Sequence, residues 1–265
     1  MLEISRKSHM LRIKEIWFSE CPFDVDDCDV VMFSDCRNKV DLSGFTCKPK
    51  TTSIINLTQP LEQIWKNMSK SSCRYAIRRA ERDGVIVKVN QNYREFQEIN
   101  TSFRLAKRLP EYVYSKNLID IIKRYGVLFI AKYNWGILGG LAFLTDGDTF
   151  RWLVGASKRL QVDGERATLI GNANKLMIWE AIKYAKALGA KEFDMGGIYT
   201  GENKDDQRYT ISKFKLGFGG EVKTHYDYQK VYFKLYSFAL ALYQLKQACV
   251  ARARVRKVAA ARYQL

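Results

Sequence analysis

The chain has 265 residues, 47% of them apolar and 13% aromatic, and carries a formal net charge of +16. Such a length buries roughly three quarters of the surface an unfolded chain exposes, which argues against a disordered protein and against any need for a disulfide staple. Two histidines and six irregularly spaced cysteines without a C-x-x-C pair argue against a zinc site, so no metal is expected.

The N-terminal MLEISRKSHM has no apolar leader, and the longest strongly apolar stretch, 238–245, falls short of the about 20 residues that cross a bilayer. A cytoplasmic protein with reduced thiols is the expectation. Strands are predicted over 11–18, 29–33 and 51–57. Thr58 and Pro60 open a helix to 68, and Ser71 or Ser72 caps a second one that ends at Gly84. A strand over 85–89 follows. Helices are expected over 93–107, where Leu109-Pro110 breaks the pattern, and over 115–125. Three strands come next, 127–133, 137–145 and 149–155, joined by Asn134-Trp135-Gly136 and Asp146-Gly147-Asp148 turns. A loop over 156–166 leads to a helix over 171–188 with Leu176, Trp179, Ile182 and Leu188 on its apolar stripe. Gly189 ends it, a strand over 191–195 follows, and a last helix is expected from about 231 into the 250s.

That order is α/β, layered, and matches an acetyltransferase-like N-acyltransferase fold. It divides the chain at 1–91, an abbreviated second copy of the unit, 92–229, the core, and 230–265, a basic C-terminal helix packing back on the N-terminal part.

Chemistry concentrates in LGAKEFDMGGIYTGENKDDQRYTISKFKLGFGGE, residues 188–221. Gly196-Gly197 at a strand end lets another molecule approach the backbone, because no Cβ intervenes. Lys215, read as lying on a strand beside Phe214, is a cation held among aromatic residues. Asp194 either takes a proton from an attacking amine or satisfies turn amides. Tyr199 and Tyr209 are candidate acceptor contacts, while a lone His225 reads as a packing or surface residue. Arg74, Arg78 and Arg82 recur every four residues with Arg79 beside them, so they share a helix face that either binds phosphate or is simply solvated. After Asp227 the tail holds eight basic and no acidic side chains, suited to a polyanion or to a solvated helix face.

Three segments, TTSIINLTQPLEQIWKNMSKSSCRYAIRRAERDGV, ANKLMIWEAIKYAKALGAKEFDMGGI and SKFKLGFGGE, together resemble the Fem-type aminoacyltransferases of peptidoglycan bridge synthesis. The resemblance runs over about residues 11–235. It implies that Phe214-Lys215 is the catalytic pair and that the reaction is amide formation. The implied donor is aminoacyl-tRNA, and the acceptor an amine on a nucleotide-sugar peptide or lipid-linked precursor. No cofactor follows from it, and the basic C-terminal helix is compatible with peripheral contact at the inner membrane face. The shortened first unit departs from the family, whose acceptor contacts both units. An acyl-CoA-dependent N-acyltransferase is the alternative, since Gly171 and Ala173 fit a CoA-binding R/Q-x-x-G-x-G/A, although Thr168 stands where Arg or Gln is expected. A non-catalytic basic module for RNA or membrane surfaces is the second alternative.

Overall fold

A computed structural model describes residues 1–8, 11–109, 117–134 and 136–232. In chain order its strands and helices are β1 Leu2–Ser8, β2 Leu11–Trp17, β3 Val30–Cys36, β4 Thr46–Asn56, α1 Leu61–Asn67, a π-helical turn Lys70–Arg74, α2 Tyr75–Arg82, β5 Ile86–Val89 and α3 Tyr93–Ala106. There follow α4 Leu118–Tyr125, β6 Gly126–Tyr133, β7 Gly136–Thr145, β8 Thr149–Ser157, α5 Gly164–Ala187, β9 Glu192–Gly197, α6 Gln207–Leu216 and β10 Glu221–Val231.

The contacts divide the chain into two units, and not at residues 91 and 229. Among the described residues, one joins Glu3–Pro49 to 226–232; the other is Lys50–His225. In the first unit, β2 and β3 pair in parallel from Ile13↔Val30 to Trp17↔Ser34, and the end of β10 adds antiparallel to β3. Ile16, Val31, Phe33 and Tyr228 form its core. Lys230, expected at the start of the C-terminal helix, lies instead on β10, where it pairs with Asp24 and sits over the Phe45 and Tyr232 rings. The rest of the expected tail helix lies outside the described residues, as does the turn residue Trp135.

The second unit has strand order β4-β9-β8-β7-β6-β5. Its β5 to β8 are antiparallel neighbours; α3 and α4 intervene between β5 and β6, while β7 and β8 are joined by the Asp146-Gly147-Asp148 turn that the sequence signals. The period of two along β6 assigns its faces. Phe129 meets Tyr184 of α5, with ring centroids 5.5 Å apart. The neighbouring Ile130 and the facing Gly140 lie against Phe96 of α3, so close that a Cβ on Gly140 would fall 2.6 Å from that ring and 2.7 Å from Ile130. Helices α3 and α4 therefore cover one face, and α5 covers the other.

Helix α5 is longer than its predicted stripe. It starts at Gly164, not 171, and buries Ile170, Ala173, Met177, Ile178, Ala181, Ile182 and Ala185 because α2 packs on its outer side. The misplacement has a plain cause: Gly164 falls in the 156–166 segment that reads as a loop, yet it opens the helix.

Between β8 and β9 the parallel ladder has only three pairs, Thr149↔Glu192, Phe150↔Phe193 and Arg151↔Asp194. Beyond them β8 runs on to Ser157 and β9 to Gly197, so the two strands part. Helix α6, where a strand was expected, follows: the Asp206 side chain accepts from the Arg208 amide as its N-cap, and Gly217 ends it. Its exit is pinned, since the Ser69 amide donates to the Gly217 carbonyl at 2.9 Å. Two residues on, Gly219 has φ +77° and lies so close to Asn67 that a Cβ there would be 2.7 Å from the Asn67 carbonyl carbon. Gly219→Ala should therefore destabilise the protein by about 1–3 kcal/mol, read as a lowered urea midpoint, whereas Gly84→Ala, strained by φ but facing open space, should cost less.

Candidate active site

Where β8 and β9 part, three charged side chains meet. Asp194 is 1% exposed, and its Oδ2 receives Arg151 Nε at 3.1 Å. Its Oδ1 accepts from the Gly196 amide at 2.7 Å and from the Thr52 hydroxyl. Arg151 is itself buried and also donates from Nη1 to the Trp152 carbonyl at 3.0 Å.

Lys215 enters the fork from α6. Its Nζ donates to the Gly197 carbonyl at 2.9 Å and lies 5.2 Å from the centre of the Trp152 ring. One strand thus supplies the ring beneath the amine and the other its acceptor. The amine titrates at about 8, well below the usual lysine range. Burial is the main cause, the Arg151 charge the second; Asp194 opposes the shift and Lys50 adds to it. A substantial fraction is therefore neutral near physiological pH, and the rest is a cation with reduced hydration.

Gly196 explains how two cations fit. At φ +83° it turns the chain inward, and a Cβ there would run into Arg151 Nη1 and stand 3.2 Å from Lys215 Nζ. The space that glycine leaves serves the protein's own cations. Gly197, exposed, is the one with open backbone, since only Thr51 O comes within 4 Å of a Cβ built on it.

The other sequence candidates divide. Phe214 stacks between Trp152, at 6.3 Å, and Phe218, at 5.6 Å, so it packs the wall from which Lys215 projects. Asp194 does not face a substrate: both oxygens are engaged inside the protein, which makes it a positioning group and not a proton acceptor for an attacking amine. Tyr199 is fastened to α6, its amide donating to Ser212 Oγ at 2.7 Å and its ring lying under Arg208. Tyr209 is half-exposed in the first turn of α6, six residues before Lys215. His225 is buried on β10.

The arginine row is not one surface. Arg74 belongs to the π-helical turn and its Nε is buried with no hydrogen-bond partner among the described residues; Arg78 is exposed over the Trp65 ring at 5.6 Å; Arg82 is exposed at the end of α2. Arg79, on the opposite flank, pairs with Asp83 and helps line a cavity of about 810 Å³ at the start of α5, together with Tyr75, Tyr133, Arg166, Thr168 and Asn172. The stretch 168–173 lies inside α5, so its amides belong to the helix ladder and the loop that would cradle a CoA pyrophosphate is not formed there.

Sequence reading missed Arg151, Trp152, Thr52 and Lys50. A charged residue inside the strand TFRWLVG was the available signal, but its partner Asp194 is 43 positions away and only the parallel register brings them together.

The chain shares its fold with FemX, at TM-score 0.64 and 15% identity over 89% of this chain and 85% of that one. It is similar also to the C-terminal domain of a putative lysylphosphatidylglycerol synthetase from Agrobacterium fabrum, at TM-score 0.55 and 14% identity over 82% and 71%. A third similar structure is L-PGS from Bacillus licheniformis, at TM-score 0.52 and 12% identity over 76% and 68%. No family model and no curated protein matches the sequence.

Two outcomes follow for stability. Asp194→Ala leaves Arg151 buried with its carboxylate removed and should cost about 3–5 kcal/mol in urea unfolding. Lys215 has the opposite sign: with a folded pKa of about 8 and an unfolded one of about 10.4, the folded chain binds fewer protons across that window. Wild type should therefore gain stability relative to Lys215→Met as pH rises from 8 to 10.4, and carry the penalty of the buried cation in full below 8.

Proposed function

We propose that the protein is an acyltransferase that moves an aminoacyl group from aminoacyl-tRNA to an amine and forms an amide. The observation that carries this reading is Lys215, a lysine of depressed pKa held at the mouth of two parting strands, on a fold shared with FemX and with proteins named as lysylphosphatidylglycerol synthetases. Fold alone does not fix chemistry; the lysine supplies the chemical argument.

In the reaction the acceptor nitrogen attacks the ester carbonyl carbon, the carbonyl oxygen takes up negative charge, and the C–O bond to the terminal ribose breaks. The Lys215 ammonium sits where it can neutralise that charge and then give its proton to the departing ribose oxygen. The proton lost by the attacking nitrogen restores the ammonium, so the products are an amide and a free hydroxyl. An acid of pKa about 8 suits that exchange better than an ordinary lysine. Positioning supplies the rest of the rate, because the ester is already activated.

The +16 charge favours a donor as rich in phosphate as tRNA, and Arg78 and Arg82 are the exposed members of the Arg74, Arg78 and Arg82 row. The acceptor we infer is an amine on a peptidoglycan precursor, either a nucleotide-sugar peptide or its lipid-linked form. No helix among the described residues is long and apolar enough to cross a membrane.

Incubation with a pool of charged tRNAs and amine acceptors, read by mass spectrometry, tests the reading. Product formation should vanish with RNase; activity that survives RNase and follows added acyl-CoA would replace the donor. Lys215→Ala should lower turnover on the order of a hundredfold with the fold intact by circular dichroism. In the wild type the rate should fall as pH rises through about 8, and Lys215→Arg should lose that alkaline limb.

A further inference from the structure

Lys215 is met from three strands. From β8 come the Arg151 guanidinium and the Trp152 ring, from β9 the Gly197 carbonyl and the Asp194 carboxylate, and from β4 Lys50. These differ in how firmly they are held. Arg151 is gripped at Nε by Asp194 and at Nη1 by the Trp152 carbonyl, in the notch that Gly196 leaves by lacking a Cβ. Asp194 in turn is fixed by Thr52 and the Gly196 amide. An immobile cation at 7% exposure acts through little water, so its field on a neighbouring amine is strong and constant. A solvated surface lysine would exert a far weaker one.

We propose that Arg151 is a positioning residue for the transfer reaction: its charge, locked in place by Asp194 and by the missing side chain at Gly196, sets how readily Lys215 releases its proton. Arg151 touches no reacting atom in this scheme. The inference rests on the role given to Lys215 above, and it deepens that role by assigning to Arg151 the part of the lysine's acidity that burial, its largest cause, does not supply.

The pair makes two variants pull in opposite directions. Arg151→Met removes the repelling cation and leaves a carboxylate nearby, so Lys215 should titrate closer to the ordinary 10.4. Asp194→Asn removes the attracting anion and keeps the cation, so Lys215 should titrate below the wild-type value of about 8. Arg151→Lys retains the charge and should keep the lysine low.

Competitive amine labelling at graded pH, with the extent at Lys215 read by mass spectrometry, measures this directly in the intact protein. Because unfolding would also raise the lysine's titration point, Asp194→Asn is the deciding variant: loss of structure cannot lower it. A rise, or no change, in Asp194→Asn overturns the proposal, as does an unmoved lysine in folded Arg151→Met. The labelling needs no substrate. A chain that transfers nothing would end the proposed activity and leave this result standing, while active enzyme with unmoved titration would end the inference alone.

Discussion

The ion pair between Arg151 and Asp194 stands at the last rung of the β8–β9 ladder, and the surrounding structure is arranged to keep it there. Burying two opposite charges is tolerable only when their remaining polar atoms are satisfied. Thr52, the Gly196 amide and the Trp152 carbonyl do that, and each comes from a different stretch of the chain. The pair also closes the ladder. Past it the strands separate, and the amine of Lys215 occupies the gap. Removing the carboxylate would therefore disturb more than one contact, because the turn at Gly196 hangs on its Oδ1 and the orientation of Arg151 on its Oδ2.

The lysine illustrates how a helix can deliver what a strand could not. Phe214, in the last turn of α6, meets Phe218 just past the helix end, with ring centroids 5.6 Å apart. That aromatic pair seats against Trp152 and the core, and the next residue after Phe214 projects its amine toward the fork. In a strand, Phe214 and Lys215 would point to opposite faces, and the phenylalanine could not have walled the lysine's side of the cleft. The depressed pKa depends on that seating, since burial is its largest cause.

Much of the second unit could be read from residues alone. Tight turn signals at Asp146-Gly147-Asp148 and the terminators Gly84, Gly126 and Gly189 marked true ends, and β6 and β7 read as near-continuous apolar runs because both of their faces are covered. Helix α6 was misread because Phe, Lys and three glycines in 214–220 mask a short helix whose only clear cue is Asp206 as N-cap, in a run of polar residues where many could serve. The functional roles were legible in part: Lys215 stood out, while Asp194 left proton transfer and the binding of turn amides both open, and its bond from the Gly196 amide is of the second kind. Nothing in one dimension reveals that Gly196 makes room for Arg151. The arginine row failed for another reason, since its spacing is helical but Arg74 falls in a wider π-helical turn that breaks the shared face.

That π-helical turn has a consequence for how the protein comes into being. Its Ser72 carbonyl accepts from Lys175 on α5 at 2.8 Å, 103 residues away, and its cap Ser69 holds the end of α6 through Gly217. Thr52 reaches Asp194 across 142 residues. These contacts join distant parts of the chain and carry a loop-closure cost that local ones, such as Gly196 to Asp194 and Arg151 to the Trp152 carbonyl, do not. A chain that stops short of residue 217 therefore lacks the carbonyl on which Ser69 fastens the end of α6, and with it the anchor of the helix that carries the amine.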